Sequence, residues 1–280
     1  AALIALTLAY LAGWFLTARR RLQAGGHGAT EPVRPGPIHL AIGAVTNFFD
    51  TLGIGSFATT TAAYKSWRLV PDEQIPGTLN VGHTINAVIQ ALVFIVAVDV
   101  EFRTLALMIG AACAGAWLGA GIVAGMSRRT VQIGMGSALL GASVIVLAQL
   151  FNLAPGGEAI ALDGVKLIIG VGGNFMLGAL MTLGVGLYAP CMVLVSILGM
   201  DPAAAFPIMM GSCAFLMPIA SLQFARKDAY NLRAALGLAL GGPLAVLLAI
   251  WLVTSLPTLM VRVLVLVVIL YTSITMLRSA

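Results

Sequence analysis

Charge is what this chain has least of. Only 9% of its 280 residues are Asp, Glu, Lys or Arg, against 60% hydrophobic, and the mean hydropathy of +1.03 is far above that of a soluble core. Cysteine is scarce too. Cys113, Cys191 and Cys213 are odd in number, all lie in apolar runs and include no C-x-x-C pair, which excludes a disulfide framework and a zinc site and leaves them as small buried packing residues. Several chemical motifs are missing. Without G-x-x-x-x-G-K-[ST] the chain does not itself hydrolyse nucleotide, and Gly170-Val171-Gly172-Gly173 sits in an apolar span instead of a strand-to-helix turn. Without H-E-x-x-H, a His-rich tract or G-x-S-x-G it is not read as a metalloprotease, a clustered-site metal-ion transporter or a serine hydrolase; Gly53-Ile54-Gly55-Ser56 has its Ser in the wrong place for a nucleophile elbow. No catalytic residue, cofactor or metal is expected, and no enzymatic activity.

What is present is a series of apolar runs, at 2–18, 37–64, 75–98, 104–126, 131–151, 160–198, 203–225, 234–254 and 257–277. Runs this long predict an all-α polytopic membrane protein, because barrel strands would alternate over short segments. The chain begins without Met in mid-run, so residues are expected before Ala1. The first run has its positive charges after it, at Arg19, Arg20 and Arg21, the reverse of a cleavable signal peptide, and is read as a retained span. Two runs have the wrong length. Segment 37–64 has 28 residues, more than the ~20 one span needs and too few for two, while 160–198 has 39 and holds two spans or a deep hairpin.

Each of these two runs carries the same motif. Thr51-Leu52-Gly53-Ile54-Gly55 recurs 131 positions later as Thr182-Leu183-Gly184-Val185-Gly186, with Ala58, Pro71 and Pro76 falling on Ala189, Pro202 and Pro207. If both runs enter the membrane and return to the side they came from, 12 of the 15 Lys and Arg share one face and only Arg103, Lys166 and Arg262 lie on the other, which fits the positive-inside rule. The basic balance of +5 is then orientation, not a nucleic-acid patch. This topology places the C-terminus in the cytoplasm. The predicted organisation is an N-terminal span and cytoplasmic loop (1–36), repeat one (37–151) and repeat two (152–280), the two repeats having inverted topology and each containing a broken, re-entrant helix hairpin.

A chain that turns inside hydrocarbon must break its helix where protein or a wet cavity covers the freed backbone groups, and glycine allows the turn. New helices are predicted to start near Ser56 and Leu187, pointing free N–H groups and positive dipole ends inward, a pair of anion-attracting termini. Packing glycines are the plain alternative. Around the first tip stand Asn47, Asp50, Thr51, Ser56, Thr59, Thr60 and Thr61; the second offers Thr182, Tyr188 and Cys191. The next predicted helix carries Asn80, His83, Asn86 and Gln90 in three- and four-residue steps, one polar stripe spanning about 120°. Interhelical hydrogen bonding is the competing reading of that stripe. His83 falls near mid-membrane and is read as an imidazolium for an anion or a proton carrier. Asp50 is read as protonated, a proton relay or a hydrogen-bonded structural group. The candidate substrate-binding residues are therefore Asn47, Thr51, Gly53, Gly55, Ser56, Asn80, His83, Asn86, Thr182, Gly184, Gly186 and Tyr188, with Asp50 and His83 as candidates for proton coupling.

These motifs resemble the TauE/SafE sulfite exporter family, whose two repeats each centre on a Gly-rich turn followed by Pro. The second repeat carries the likeness best, as Gly178, Thr182-Leu183-Gly184-Val185-Gly186, Pro190, Gly199, Pro202 and Ala205; the first has Thr59 where the second has Pro190. The likeness extends over roughly residues 37–277. It implies movement of sulfite, sulfonates or related small anions across a bacterial plasma membrane. An inside-negative potential favours anion exit by about 2.3 kcal/mol per charge per 100 mV, so export needs no coupling ion. The alternatives are a proton-coupled importer of the same solutes and a non-transporting scaffold or receptor subunit. The expected partners are a small anionic substrate and the lipid bilayer, with homodimerisation left open and nucleic acid excluded.

Overall fold

The computed structural model describes residues 2–23, 33–123, 128–151, 157–181 and 187–279. Among them are eleven α-helices: α1 (Ala2–Gln23), α2 (Pro37–Thr51), α3 (Ser56–Ser66), α4 (Ile75–Ala97), α5 (Phe102–Val123), α6 (Arg128–Leu150), α7 (Gly164–Met181), α8 (Tyr188–Ile197), α9 (Ala205–Arg226), α10 (Leu232–Thr254) and α11 (Thr258–Ser279). Among the described residues there is no strand, only an isolated bridge between Ala159 and Met200. Seven helices among the described residues are long and apolar enough to cross a membrane. Their exposed faces carry Val96, Leu244 and Trp251, large apolar side chains that lipid tolerates and water does not.

The two over-long segments each divide into two helices. In the first, α2 opens on Pro37, whose fixed φ suits a first helical position, and closes at Thr51, because Gly53 (φ +93°) and Gly55 (φ +88°) leave helical space before Ser56 begins α3. In the second, α7 ends at Met181 and α8 starts at Tyr188. The succession α2 to α6, with a 3₁₀ turn at Asp72–Gln74 before α4, recurs as α7 to α11 with a 3₁₀ turn at Pro202–Ala204 before α9.

The recurrence reaches individual hydrogen bonds. Helix α3 ends in a Schellman turn, in which Leu69 N–H donates to Tyr64 O (3.0 Å) and Arg68 N–H to Lys65 O (3.3 Å). Helix α8 ends in the same turn: Met200 N–H donates to Val195 O (3.2 Å) and Gly199 N–H to Ser196 O (3.1 Å). All four residues of each turn lie 131 positions from their counterparts. The residue with positive φ is Arg68 (+50°) in one and Gly199 (+84°) in the other, and only the glycine adopts it without a steric cost of about 1–2 kcal/mol.

The chain forms two compact units, and α4, α9 and α10 contribute residues to both. One unit contains residues 1–51, 55–90 and 213–250. Within it α1 docks through Tyr10, whose hydroxyl donates to Val81 O (2.8 Å), and Trp14, whose Nε1 donates to the Tyr230 hydroxyl (3.1 Å). Helices α2 and α10 meet glycine on backbone: a Cβ on Gly43 would lie 2.6 Å from Gly237 O and 2.9 Å from Leu238 Cα. The other unit contains residues 52–54, 91–212 and 251–280. There α5 and α7 approach as closely, Gly115 facing Phe175 O and Gly178 facing Ala112 O, and Phe94 stacks on Phe206 with ring centroids 5.0 Å apart. Backbones that close exclude lipid and leave only dispersion and hydrogen bonding to hold the helices, as expected between membrane spans.

Candidate functional site

A group of buried polar side chains flanks the break between α2 and α3. Asn47, Thr51, Thr60 and Gln90 have no solvent exposure, and His83, Asp50 and Ser56 have 1%, 4% and 3%. Two chains of hydrogen bonds run through them.

The first chain passes through His83. Asn47 Nδ2 donates to Gly43 O (2.7 Å), which turns Asn47 Oδ1 toward His83 Nδ1 (2.9 Å). His83 Nε2 lies 3.0 Å from the Thr60 hydroxyl. A neutral ring with its hydrogen on Nδ1 satisfies both contacts: Nδ1–H donates to Asn47 and Thr60 donates to Nε2. The ring also packs beside Phe57, centroids 5.9 Å apart. His83 thereby ties α2 and α3 to α4, with both nitrogens engaged inside the protein.

The second chain passes through Asp50. Gly55, the residue before α3, supplies no side-chain cap. The Asp50 carboxylate supplies one instead: Ser56 N–H donates to its Oδ1 (2.6 Å), while Gln90 Nε2 donates to its Oδ2 (3.1 Å) and to the Thr51 hydroxyl (2.8 Å). Thr51 in turn donates to Asn47 O (2.7 Å). An anion placed at a helix N-terminus is favourable because the first amides have no intrahelical acceptor and the dipole is positive there. Here the anion is the chain's own.

The structure divides the polar stripe of α4. His83 and Gln90 face α2 and α3, but Asn86 Nδ2 donates to Leu238 O of α10 (2.9 Å), and Asn80 is half-buried with its Nδ2 bonded back to Pro76 O of its own helix (2.9 Å). Four residues within a 120° arc therefore do not share one face toward one neighbour. Wide arcs on a span surrounded by helices meet several partners, and which one each residue meets depends on packing that spacing does not encode.

The other unit presents a sparser picture. A Cβ on Gly53 would run into Met192 Cε and lie 3.6 Å from Met209 Cε. Thr182, Gly184 and Gly186 lie outside the described residues. Tyr188 opens α8 and is buried; Leu187 before it provides no side-chain cap. Asn174 of α7, which spacing did not single out, is fully buried, its Nδ2 donating to Met108 O (2.7 Å) and to the Ser212 hydroxyl (3.2 Å). A lone amide within the apolar run 160–198 was the available signal.

Residues 1–146 match the sequence profile of the family described as Sulfite exporter TauE/SafE. The chain belongs to that family. The match takes in α1 to α5 and most of α6, including Asn47, Asp50, His83 and Gln90, and thus reaches further toward the N-terminus than residues 37–277 and stops before the second glycine motif. No curated protein and no solved structure matches the chain. Membership of the TauE/SafE family, with seven helices fit to cross a bilayer, makes this a multi-pass membrane protein of a transporter family.

Proposed function

We propose that the protein is a secondary carrier that exports a small anion of the sulfite or sulfonate class across a bacterial inner membrane by alternating access. The observation that carries this reading is the interrupted helix at residues 52–55, with an amide terminus and a buried polar cluster beside it in a segment otherwise suited to span the bilayer. Backbone broken at membrane depth is tolerated where it borders a binding cavity, and carriers built from repeats use such breaks to hold their substrates. The family description supplies the class of anion.

The in-register Schellman turns and matched helix succession support two repeats of one architecture. With both broken segments re-entrant, the repeats have opposite orientation in the membrane, the C-terminus is cytoplasmic, and the 12-to-3 distribution of basic residues follows. Exchange of conformations between two such halves opens the site to one side and then the other. The substrate contacts come from Asn47, Thr51, Ser56 and the Gly53 and Gly55 backbone in the first repeat, and from the segment of Thr182, Gly184, Gly186 and Tyr188 in the second.

Purified protein in proteoliposomes loaded with sulfite provides the test. Efflux should accelerate when the compartment that sulfite leaves is made electrically negative, and a pH gradient should act only through sulfite protonation. Efflux that follows the pH gradient at fixed sulfite speciation replaces this mechanism with proton coupling through Asp50 and His83. No flux above protein-free vesicles for sulfite, sulfate or a simple alkanesulfonate removes the carrier reading altogether.

A further inference from the structure

The start of α3 is a terminus with a built-in anion. Its own preceding residue, Gly55, has no side chain to cap it, and the acceptor comes instead from the end of α2, six residues before Ser56. Gln90 is arranged around that carboxylate: both contacts of its Nε2 go to Asp50 Oδ2 and Thr51 Oγ1, while its Oε1 is buried with no partner. A buried amide oxygen left idle is costly. The arrangement is that of a residue placed to hold a negative group. Beside it, Gly55 is only half-buried, and a Cβ built there would meet nothing within 4 Å, so the backbone leading into Ser56 borders open space.

We infer, resting on the anion-carrier reading above, that the Asp50 carboxylate is a tethered stand-in for the substrate: it occupies the Ser56 amide when no anion is bound and yields that amide to the incoming anion by exchange. Gln90 keeps hold of Oδ2 while Oδ1 moves off, so the carboxylate remains nearby to displace the anion again. Asp50 is on this account a positioning residue that weakens substrate binding and speeds release. A carrier needs both, since an anion held at an uncontested terminus would leave slowly.

The test is sulfite transport by the full chain in proteoliposomes, with KM and kcat measured separately. In Asp50→Asn the amide oxygen still accepts from Ser56 N–H, and the idle Gln90 Oε1 can turn to accept from the new NH₂, so the local structure persists without the charge. With the competitor neutralised, sulfite KM should fall by between about twofold and thirtyfold, the span that a charge at a partly buried helix terminus commands, and kcat should fall with it. Ser56→Pro removes the contested N–H itself. Proline suits a first helical position, and the Gly55 ψ of 132° is in the range that precedes proline. This variant should raise KM, and in the double variant the gain from Asp50→Asn should disappear. An Asp50→Asn protein with unchanged or higher KM overturns the proposal, as does a gain that survives Ser56→Pro. If Asp50→Asn does not fold, an unchanged KM in Ser56→Pro alone overturns it. Wild-type vesicles with no sulfite flux overturn the carrier reading and this inference together, whereas normal wild-type flux with unmoved KM values overturns this inference alone.

Discussion

The two broken segments share a frame and differ in nearly everything set into it. Counting 131 positions on from the first, Asn47 becomes Gly178, Asp50 becomes Met181, Ser56 becomes Leu187, Thr60 becomes Cys191, His83 becomes Ala214 and Gln90 becomes Ser221. Every side chain in the two hydrogen-bond chains of the first repeat except Thr51 is thus replaced, mostly by an apolar or smaller group. What remains common is backbone: the glycine pair, the prolines and the Schellman turn. The glycine pair is thus repeated in sequence, while the polar side chains around the first break are not. On the carrier reading proposed above, the polar contacts to the solute would come mainly from the first repeat.

Breaking what the halves share should have the largest effect. Valine at Gly53 must adopt φ +93° with a branched side chain and displace the Met192 methyl. Backbone strain alone is worth about 1–3 kcal/mol, and the contact adds to it. Gly53→Val should abolish sulfite flux and lower the thermal unfolding temperature in detergent; flux within twofold of wild type would show that close backbone approach at the break is not required.

Converting the first half residue by residue into the second sharpens the comparison. Asp50→Met removes the carboxylate, strands Ser56 N–H and takes one of two acceptors from Gln90 Nε2. Leaving buried donors unsatisfied costs about 1–3 kcal/mol for each group, so a loss of about 3 kcal/mol is expected, well beyond that of Asp50→Asn. The two variants would unfold at the same temperature only if the hydrogen bonds accepted at position 50 make no structural contribution. Gln90→Ser follows, since serine cannot reach Asp50 or Thr51. Two interhelical hydrogen bonds at about 0.6 kcal/mol each in a membrane protein give a loss of about 1 kcal/mol, visible in the same unfolding measurement, and flux should slow as the carboxylate loses its second anchor. A stabilised Gln90→Ser protein would mean that the idle Oε1 costs more than the two bonds return.

How much of this was legible in the sequence depends on whether the signal was local. The nine apolar runs, the division of 37–64 at its glycines and the start of α3 at Ser56 follow from hydropathy and glycine alone. The end of α8 was marked by Gly199, but the same turn at Arg68 was hidden, because arginine in a left-handed conformation carries no signature. The role of Asp50 stayed open between relay and structure for a like reason. Its partner is a backbone amide six residues on, brought within reach only by the turn at Gly53 and Gly55. Asn80 and Asn86 were grouped with His83 by spacing, yet one bonds to its own helix and the other to α10, and Asn174 passed unnoticed because a single amide has no period.

The smallest expected effect belongs to Thr60→Cys, and it bears most directly on His83. Thr60 donates to His83 Nε2 at 3.0 Å from an unexposed position, and Cys191 is its counterpart in the second repeat. Cysteine has nearly the same bulk and a much weaker donor, so packing is preserved while one hydrogen bond is lost. That bond is worth about 0.6 kcal/mol on average between membrane helices. If His83 serves only to pin α2 and α3 to α4, Thr60→Cys should shift unfolding by that small amount and leave the pH profile of sulfite flux where it was. If His83 moves a proton, releasing Nε2 from its contact with the Thr60 hydroxyl changes the ring's affinity for that proton, and the pH profile should move even though stability barely does. The two readouts part company in this one variant because it alters a single side of a ring whose other nitrogen remains held by Asn47 at 2.9 Å.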